Sequence, residues 1–342
     1  MIGYFADKTA PELPCSHPIV IKTMPATGSK LRDEFKNAVA VKPFAYDQKD
    51  VFAIPFRFDD QSTDFHVLWS IFSASEPSWY TGLTIPNIVV KDLREPLKRS
   101  DEQTVNEVLT STMSALATFH RSFGRQAIED RNIYTEYEWY LRQFGTAWGQ
   151  EWIDVWGEGT QQFCHIDGSD IINPLWILDR LRTKTVPLSL GAVHGDLHPG
   201  NIVLAQNKGA RVIDFGWSQE RTHIAKDFVL MECNMRFLFL RPQLSASESR
   251  KFSRWLKWSE PVPSGLSEHC IRHANMINHL RSLATSVFPE NPDWNWQYLV
   301  PMFFIAFGLL RFAPQLGNQV AAVETVLGLA QEIESLLAQP KQ

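Results

Sequence analysis

Apolar residues recur along the chain with two different periods, and the change of period divides the sequence into two parts. In the first part, β-branched and aromatic runs predict strands at 18–22, 51–58 and 65–72, and a 3.6-residue period predicts a helix at 29–41. The stretch 73–98 contains three prolines and many turn residues, which indicates a junction. The pattern therefore predicts a small β-rich part followed by a larger helical part.

Beyond the junction the helical period dominates. It predicts helices at 104–121, 134–156, 175–182, 227–240, 247–258, 266–283, 296–312 and 320–337. Strand-and-loop patterns at 192–204 and 210–215 interrupt this run. The apolar stretch 299–310 contains Pro301 and is shorter than a bilayer requires. We therefore expect it to form a buried core helix, and we expect no membrane contact.

Composition and charge mainly exclude classes of protein. The net charge of -5 and the pI near 6.1 lack the basic character of a nucleic-acid binder. The four cysteines, Cys15, Cys164, Cys233 and Cys270, are far apart, which argues against a zinc site or a disulfide framework and suits a reducing cytoplasm. Residues 1–13 lack the basic start and apolar run of a signal peptide. We expect a cytoplasmic protein without a nucleic-acid partner.

The two interrupting segments carry the residues that suggest chemistry. The first contains His194, Asp196, His198 and Asn201 in the pattern H-G-D-x-H-x-G-N, and the second contains Asp214 in I-D-F-G. Transfer of a phosphoryl group to a hydroxyl needs a carboxylate for the hydroxyl proton and hard oxygen ligands for Mg²⁺. Asp196 fits the catalytic base, and Asn201 and Asp214 fit the magnesium ligands. The interval of five residues from Asp196 to Asn201 equals that of the kinase catalytic loop.

The same histidines allow a second interpretation. H-x-D-x-H, from His194 to His198, could be the metal-ligand cluster of a hydrolase. The position of Asn201 and the apolar strands that flank both motifs favour the kinase-type interpretation instead.

Together the two motifs resemble the signature of aminoglycoside phosphotransferases, choline kinases and related small-molecule kinases. The resemblance implies an α+β, protein-kinase-like fold with a β-rich N-lobe at 1–74, a helical C-lobe at 75–342, and ATP or GTP between them. The C-lobe would contain the catalytic loop at 192–204 and the metal-binding segment at 210–216. Protein kinases have Arg where this chain has Gly195, and no A-P-E segment follows D-F-G, so a protein kinase is disfavoured.

The resemblance also assigns roles in the front part. Lys22, at the end of a strand-like run, would bind the nucleotide phosphates and pair with Glu34 on the next helix. The alternative is that both are ordinary surface charges. The front part departs from the family pattern. Gly3 is the only glycine before Lys22, so the Gly-rich phosphate loop is missing or shortened. The hinge to the adenine would lie at 70–75.

Further roles follow from the resemblance alone. His194 and Asp227 would support the catalytic loop, and His120 would be a packing residue. His198 and Glu232 are possible residues on the substrate side. For Glu232, an alternative role in helix pairing is open.

The sequence therefore predicts a phosphotransferase that moves the γ-phosphoryl of ATP or GTP to the hydroxyl of a small-molecule acceptor with Mg²⁺. Tryptophans in the late region, such as Trp255, Trp258 and Trp294, are compatible with an aromatic acceptor pocket. The alternative is a kinase-like binding or regulatory module. The late segment 279–312 and the helix after D-F-G also look similar to kinase-like ternary-complex-associated domains, which would imply protein partners in a larger assembly.

Overall fold

The computed structural model describes residues 2–4, 18–45, 51–71, 91–124, 127–142, 146–166, 168–204, 210–240, 244–315 and 318–339. The chain forms two compact units, each assembled from three stretches. The first unit comprises Met1–Pro96, Gln103–Gly124 and Gly191–Asp227, and the second comprises the remaining residues. A β-rich N-terminal region and a helical C-terminal part confirm the predicted α+β class. The predicted lobe boundary at residues 74 and 75 lies outside the described residues.

The strands are β1 (Ile2–Tyr4), β2 (Pro18–Pro25), β3 (Pro55–Asp59), β4 (Phe65–Ile71), β5 (Lys91–Asp92), β6 (Ile128–Asn132), β7 (Phe163–Ile166), β8 (Ser169–Ile172), β9 (Thr185–Val193), β10 (Ile202–Leu204), β11 (Ala210–Val212) and β12 (Gln219–His223). The helices are α1 (Lys30–Ala45), α2 (Arg94–Arg99), α3 (Glu102–His120), α4 (Ile133–Arg142), α5 (Thr146–Trp156), α6 (Pro174–Leu181), α7 (Ala225–Cys233), α8 (Ala246–Ser253), α9 (Glu268–Thr285), α10 (Val300–Leu309) and α11 (Gln319–Ala338).

The first unit contains an antiparallel sheet with the strand order β1-β2-β4-β3. In its register Lys22 lies opposite Leu68, and Leu68 is fully buried. Helix α1 buries Leu31, Ala38 and Val41, which recur at helical spacing along one face. This face also carries the buried Glu34, so the helix brings one carboxylate into the apolar interior.

A second sheet of the first unit, with the order β11-β10-β5, supports the two motif segments. An aromatic cluster lies beside it, with ring centroids of Phe52 and Phe119 4.9 Å apart and those of Phe52 and Phe215 6.0 Å apart. All three phenylalanines are buried. Their burial anchors the segment that contains Asp214, because Phe215 is the middle residue of D-F-G.

The second unit is mainly helical. Helix α10 is buried from Val300 to Gly308, which confirms the predicted core helix. Within the described residues, none of the helices combines the length and the apolar character needed to cross a membrane. The three cysteines in the described part of the chain, Cys164, Cys233 and Cys270, are free and buried.

Several predicted bounds were wrong. The predicted helix at 134–156 is two helices, α4 and α5, and the predicted helices at 227–240 and 296–312 each contain a π-helical turn, at Asn234–Leu238 and Asn295–Leu299. Strand β6, which pairs antiparallel with the first half of β9, and the β7–β8 hairpin were missed. These strands are short and carry charged or exposed residues at many positions, so they show no apolar alternation.

Candidate active site

The catalytic loop begins where β9 ends, and a glycine shapes its first turn. Gly195 has a φ of 81°, in the left-handed region that favours glycine. A Cβ atom at this position would lie 2.3 Å from the carbonyl oxygen of Trp217. A side chain at this position would therefore collide with the backbone of Trp217, the residue that follows D-F-G.

The buried carboxylate of Asp227 holds the backbone of this loop in place. Asp227 is fully buried and accepts hydrogen bonds from the backbone N–H groups of His194 (2.9 Å) and Gly195 (2.8 Å). The ring of His120 lies with its Nε2 3.0 Å from Asp227 Oδ2. Burial alone would raise the pKa of Asp227, but the hydrogen bond and charge of His120 and the hydrogen bond from the backbone N–H of His194 lower it. Asp227 is therefore an ionised brace, and His120 does more than pack.

His194 connects the catalytic loop to the metal-binding segment. Its Nε2 donates to the carbonyl oxygen of Ile213 (2.9 Å), and its Nδ1 accepts from the N–H of Asp196 (3.3 Å). Burial lowers the pKa of His194, so the ring is neutral and can both donate and accept. Phe215 packs against the ring with centroids 4.8 Å apart. The side chain thus holds Asp196 and the D-F-G segment in one arrangement.

Asp196, His198 and Asn201 occupy the loop itself. The Nδ2 of Asn201 donates to the carbonyl oxygen of Asp196 (2.9 Å), which orients the amide. The Nδ1 of His198 accepts from the N–H of Gly200 (3.0 Å), and its Nε2 lies 3.9 Å from Asp196 Oδ2. Burial lowers the pKa of His198 to about 4. The ring is therefore neutral near pH 7, with its proton on the nitrogen that faces Asp196.

Asp214 lies in a strained backbone position. Its φ of 68° and ψ of 66° are left-handed, which costs a residue with a side chain about 1–2 kcal/mol. Its Oδ1 is 3.2 Å from Lys22 Nζ. Burial would raise the pKa of Asp214, but the charge and hydrogen bond of Lys22 and the charge of Lys30 lower it. Asp214 therefore presents an ionised carboxylate oxygen.

The ammonium group of Lys22 lies between two carboxylates. It donates to Glu34 Oε1 at 2.5 Å and lies 3.2 Å from Asp214 Oδ1. Glu34 is only 2% exposed, and burial raises its pKa. Its second oxygen, Oε2, is buried and has no hydrogen-bond partner among the residues that the structure describes. These side chains line a cavity of about 470 Å³ together with Met24, Lys30 and Leu31.

The oxygen donors proposed for a metal ion, the amide of Asn201 and the carboxylate of Asp214, fit magnesium better than zinc. Ile202 pairs with Val212, and the N–H of Ile213 donates to the carbonyl oxygen of Asn201 at 3.0 Å. This register brings the backbone of Asn201 beside the residue that precedes Asp214. Mg²⁺ is held by one or two protein oxygens and completes its shell with phosphate and water. Among the described residues, no three His, Cys, Asp or Glu side chains converge as a metal cluster.

Two residues of the site were missed by sequence reasoning. Lys30 lines the cavity, and the Nδ2 of Asn37 donates to the carbonyl oxygen of Gly216 at 2.7 Å, which ties α1 to the D-F-G segment. Both lie on the face of α1 that carries Glu34, at intervals of four and three residues, and that spacing was the available signal. Of the predicted hinge at 70–75, Ser70 lies in β4 and 72–75 lie outside the described residues.

Glu232 lies in the second unit, in a buried ion-pair network. It is fully buried and bonds to Arg236 (2.7 Å), Arg281 (2.8 and 3.0 Å) and the hydroxyl of Tyr298 (2.7 Å). The arginines and Tyr298 outweigh burial and lower its pKa. Both carboxylate oxygens are engaged in this network and neither faces solvent. The position is that of a core ion pair, which corresponds to the helix-pairing alternative.

The late tryptophans form an aromatic wall within the second unit. Trp258 and Trp294 stack with centroids 4.0 Å apart, and Tyr298 meets Trp258 edge-on at 4.6 Å. These rings line a cavity of about 180 Å³. Trp255 is buried and lies under the guanidinium of Arg281.

Comparison with known proteins assigns the sequence to a family. A search of curated proteins found no relative. The chain is similar to the solved structure of the amicoumacin kinase hAmiN in complex with AMP-PNP, Ca²⁺ and Ami, with 11% identity and a TM-score of 0.42 over 98% of this chain and 88% of that chain. The sequence matches the family described as ternary complex associated domain 9 over residues 88–311. Because this match spans more than half of the 342 residues, the chain belongs to the ternary complex associated domain 9 family.

Proposed function

We propose that the chain is a kinase-like phosphotransferase that moves the γ-phosphoryl of ATP or GTP to the hydroxyl of a small-molecule acceptor. One observation carries this proposal: Lys22 lies between Glu34 and Asp214 in a single cavity. A lysine in this position can hold nucleotide phosphates, and the carboxylate beside it can hold their metal ion. Two surface charges without a shared task would not require the burial of Glu34.

In the proposed reaction, Asp196 accepts the proton of the acceptor hydroxyl as the oxygen attacks the γ-phosphorus. A new P–O bond forms, the bond to the β-phosphate oxygen breaks, and the nucleoside diphosphate leaves. Asp196 then returns its proton to solvent. Mg²⁺, held by Asn201 and Asp214, would neutralise phosphate charge when bound. Lys22 would position the phosphates, so positioning and electrostatics supply most of the acceleration.

His198 would act on Asp196 in this scheme. Because its Nδ1 accepts from Gly200, the ring proton lies on Nε2 and faces the Asp196 carboxylate at 3.9 Å. A neutral N–H donor beside Oδ2 of Asp196 favours the Asp196 rotamer in which Oδ1 faces the substrate and receives its proton. His198 would thus be a positioning residue for Asp196; the sequence predicts only that it lies on the substrate side.

A second candidate function is a kinase-like binding module within a multi-component assembly. Two observations favour it: no glycine occurs between residues 4 and 27, where a phosphate loop would be expected, and the family is described as ternary complex associated. Its partners would be proteins. The cytoplasmic location stays a prediction.

Nucleotide binding and turnover separate the two functions. Purified protein is titrated with ATP and with GTP, with and without Mg²⁺, while thermal unfolding and slow nucleotide hydrolysis are followed. For the phosphotransferase we expect stabilisation that requires Mg²⁺ and is lost in Asp214→Ala, and hydrolysis that is lost in Asp196→Asn. Asp170→Asn, at an exposed site of the second unit, is the matched control. Absence of stabilisation by both nucleotides would refute the phosphotransferase and favour the binding module.

A further inference from the structure

Residues 4–27 of the given sequence contain no glycine, so this stretch cannot form a glycine-rich loop of the kind that covers the phosphates in kinase-like folds. In kinase-like folds, such a loop lets backbone N–H groups approach the phosphate oxygens closely. Here Gly28, which follows β2, is the first glycine after Gly3. Side chains must therefore supply more of the positive charge that a bound nucleotide requires.

The obvious cation of the site is already engaged. Lys22 donates to Glu34 at 2.5 Å and lies 3.2 Å from Asp214, so two carboxylates share its charge. A nucleoside triphosphate carries more negative charge than one Mg²⁺ ion neutralises. A further cation that faces the same cavity would reduce the remaining repulsion.

Lys30 is in the right place to be that cation. It is the first residue of α1, its side chain is exposed, and it lines the cavity with Lys22, Glu34 and Asp214. Its charge acts to lower the pKa of Glu34 and of Asp214. Lys22 and Lys30 are the two cations among the described residues that line the cavity.

We propose that Lys30 binds the phosphate chain of the nucleotide and adds to the positive charge that Lys22 provides in the same cavity. This inference rests on the proposed phosphotransferase function, because it concerns the same cavity. It specifies that recognition depends on the number of phosphates and on a side-chain cation one helical turn before Glu34.

The test measures how three probes bind to the full chain in a buffer that contains Mg²⁺. The probes are ATP, inorganic tripolyphosphate and adenosine. We expect Lys30→Met to weaken ATP and tripolyphosphate about tenfold, the size of one charge-assisted hydrogen bond, and to leave adenosine unchanged. Lys30→Arg keeps the charge and should retain most of the affinity. Lys36→Met is the matched control, because Lys36 is exposed on the same helix and does not line the cavity.

The outcomes distinguish this inference from the function on which it rests. If the wild type binds ATP and tripolyphosphate and Lys30→Met binds them equally well, the inference is wrong and the phosphotransferase stands. If Lys30→Met weakens adenosine as much as ATP, the effect is structural and the inference is also wrong. If the wild type binds none of the probes, both fail. Thermal unfolding of Lys30→Met should match that of Lys36→Met, because both side chains are exposed.

Discussion

Asp227 provides the sharpest test of how the catalytic loop is held. Its carboxylate is fully buried, Oδ1 accepts from Gly195, and Oδ2 accepts from His194 and contacts the ring of His120. In Asp227→Asn, one oxygen becomes an NH₂ group. In either orientation, that group faces at least one N–H that had an acceptor before.

The expected cost follows from these contacts. Hydrogen bonds to a buried charged acceptor contribute about 1.5–3 kcal/mol each, and a donor left without an acceptor adds a penalty of similar size. Since the remaining oxygen can keep one or two bonds, we expect Asp227→Asn to lower the free energy of unfolding by about 2–4 kcal/mol at pH 7. Asp170→Asn is the control, because the Asp170–His165 pair has nearly the same separation, 3.2 Å, but is exposed. We expect no measurable change there.

The pH dependence gives the sign of the effect. The pKa of Asp227 is lower in the folded state than in the unfolded chain. Its stabilisation is therefore fully present above about pH 4, the ordinary value for Asp, and is lost as the pH falls through the folded pKa. Urea unfolding of wild type and Asp227→Asn from pH 7 down to pH 3 should show a shrinking difference. The same urea midpoint for Asp227→Asn and Asp170→Asn at pH 7 would refute the reasoning.

Three further substitutions test other parts of the structure. Glu34→Gln should weaken ATP binding about tenfold, because Lys22 loses one of its two anionic partners, while the thermal midpoint changes little because Lys22 is partly exposed and keeps Asp214 at 3.2 Å; a large loss of stability would contradict this. Gly195→Ala should cost about 3 kcal/mol or more in urea unfolding, whereas Gly124→Ala, at a φ of 82° with open space around it, should cost about 1–2 kcal/mol; equal costs would refute the proposed clash. Glu232→Gln should cost about 3–5 kcal/mol in the same assay, because two buried arginines lose their anion, and an unchanged midpoint would exclude that role.

Sequence reasoning succeeded where one physical pattern dominated. The period of Val105, Leu109 and Leu116 predicts α3, because an amphipathic helix needs its apolar residues on one face. The two motif segments also stood out in the sequence, because phosphoryl transfer calls for particular residue types at fixed intervals; their metal-binding and catalytic roles stay predictions. The fold class followed from the order of these patterns.

The rest depends on contacts that no local pattern contains. Glu232 looks like any helical carboxylate until Arg281, 49 residues later, is seen to bond to it. Lys30 is one of several charges around Glu34, and only the cavity distinguishes it from Lys36. The dipeptide Asp167-Gly168 was a usable sequence signal for the β7–β8 hairpin, and Gly168 has a φ of 78°. The hairpin was missed because its exposed strands show no apolar alternation.

The contact between His120 and Asp227 has a consequence for the folding of the protein during its synthesis on the ribosome. These residues are 107 positions apart, and the chain between them contributes 125–190 to the other compact unit. At a synthesis rate of about 5–20 residues per second, Asp227 is synthesised roughly 5–20 s after His120. During that time the N-terminal sheet and α3 exist without the catalytic loop and without the anion that braces it. The first unit can therefore complete its folding only after the stretch Gly191–Asp227 has been synthesised.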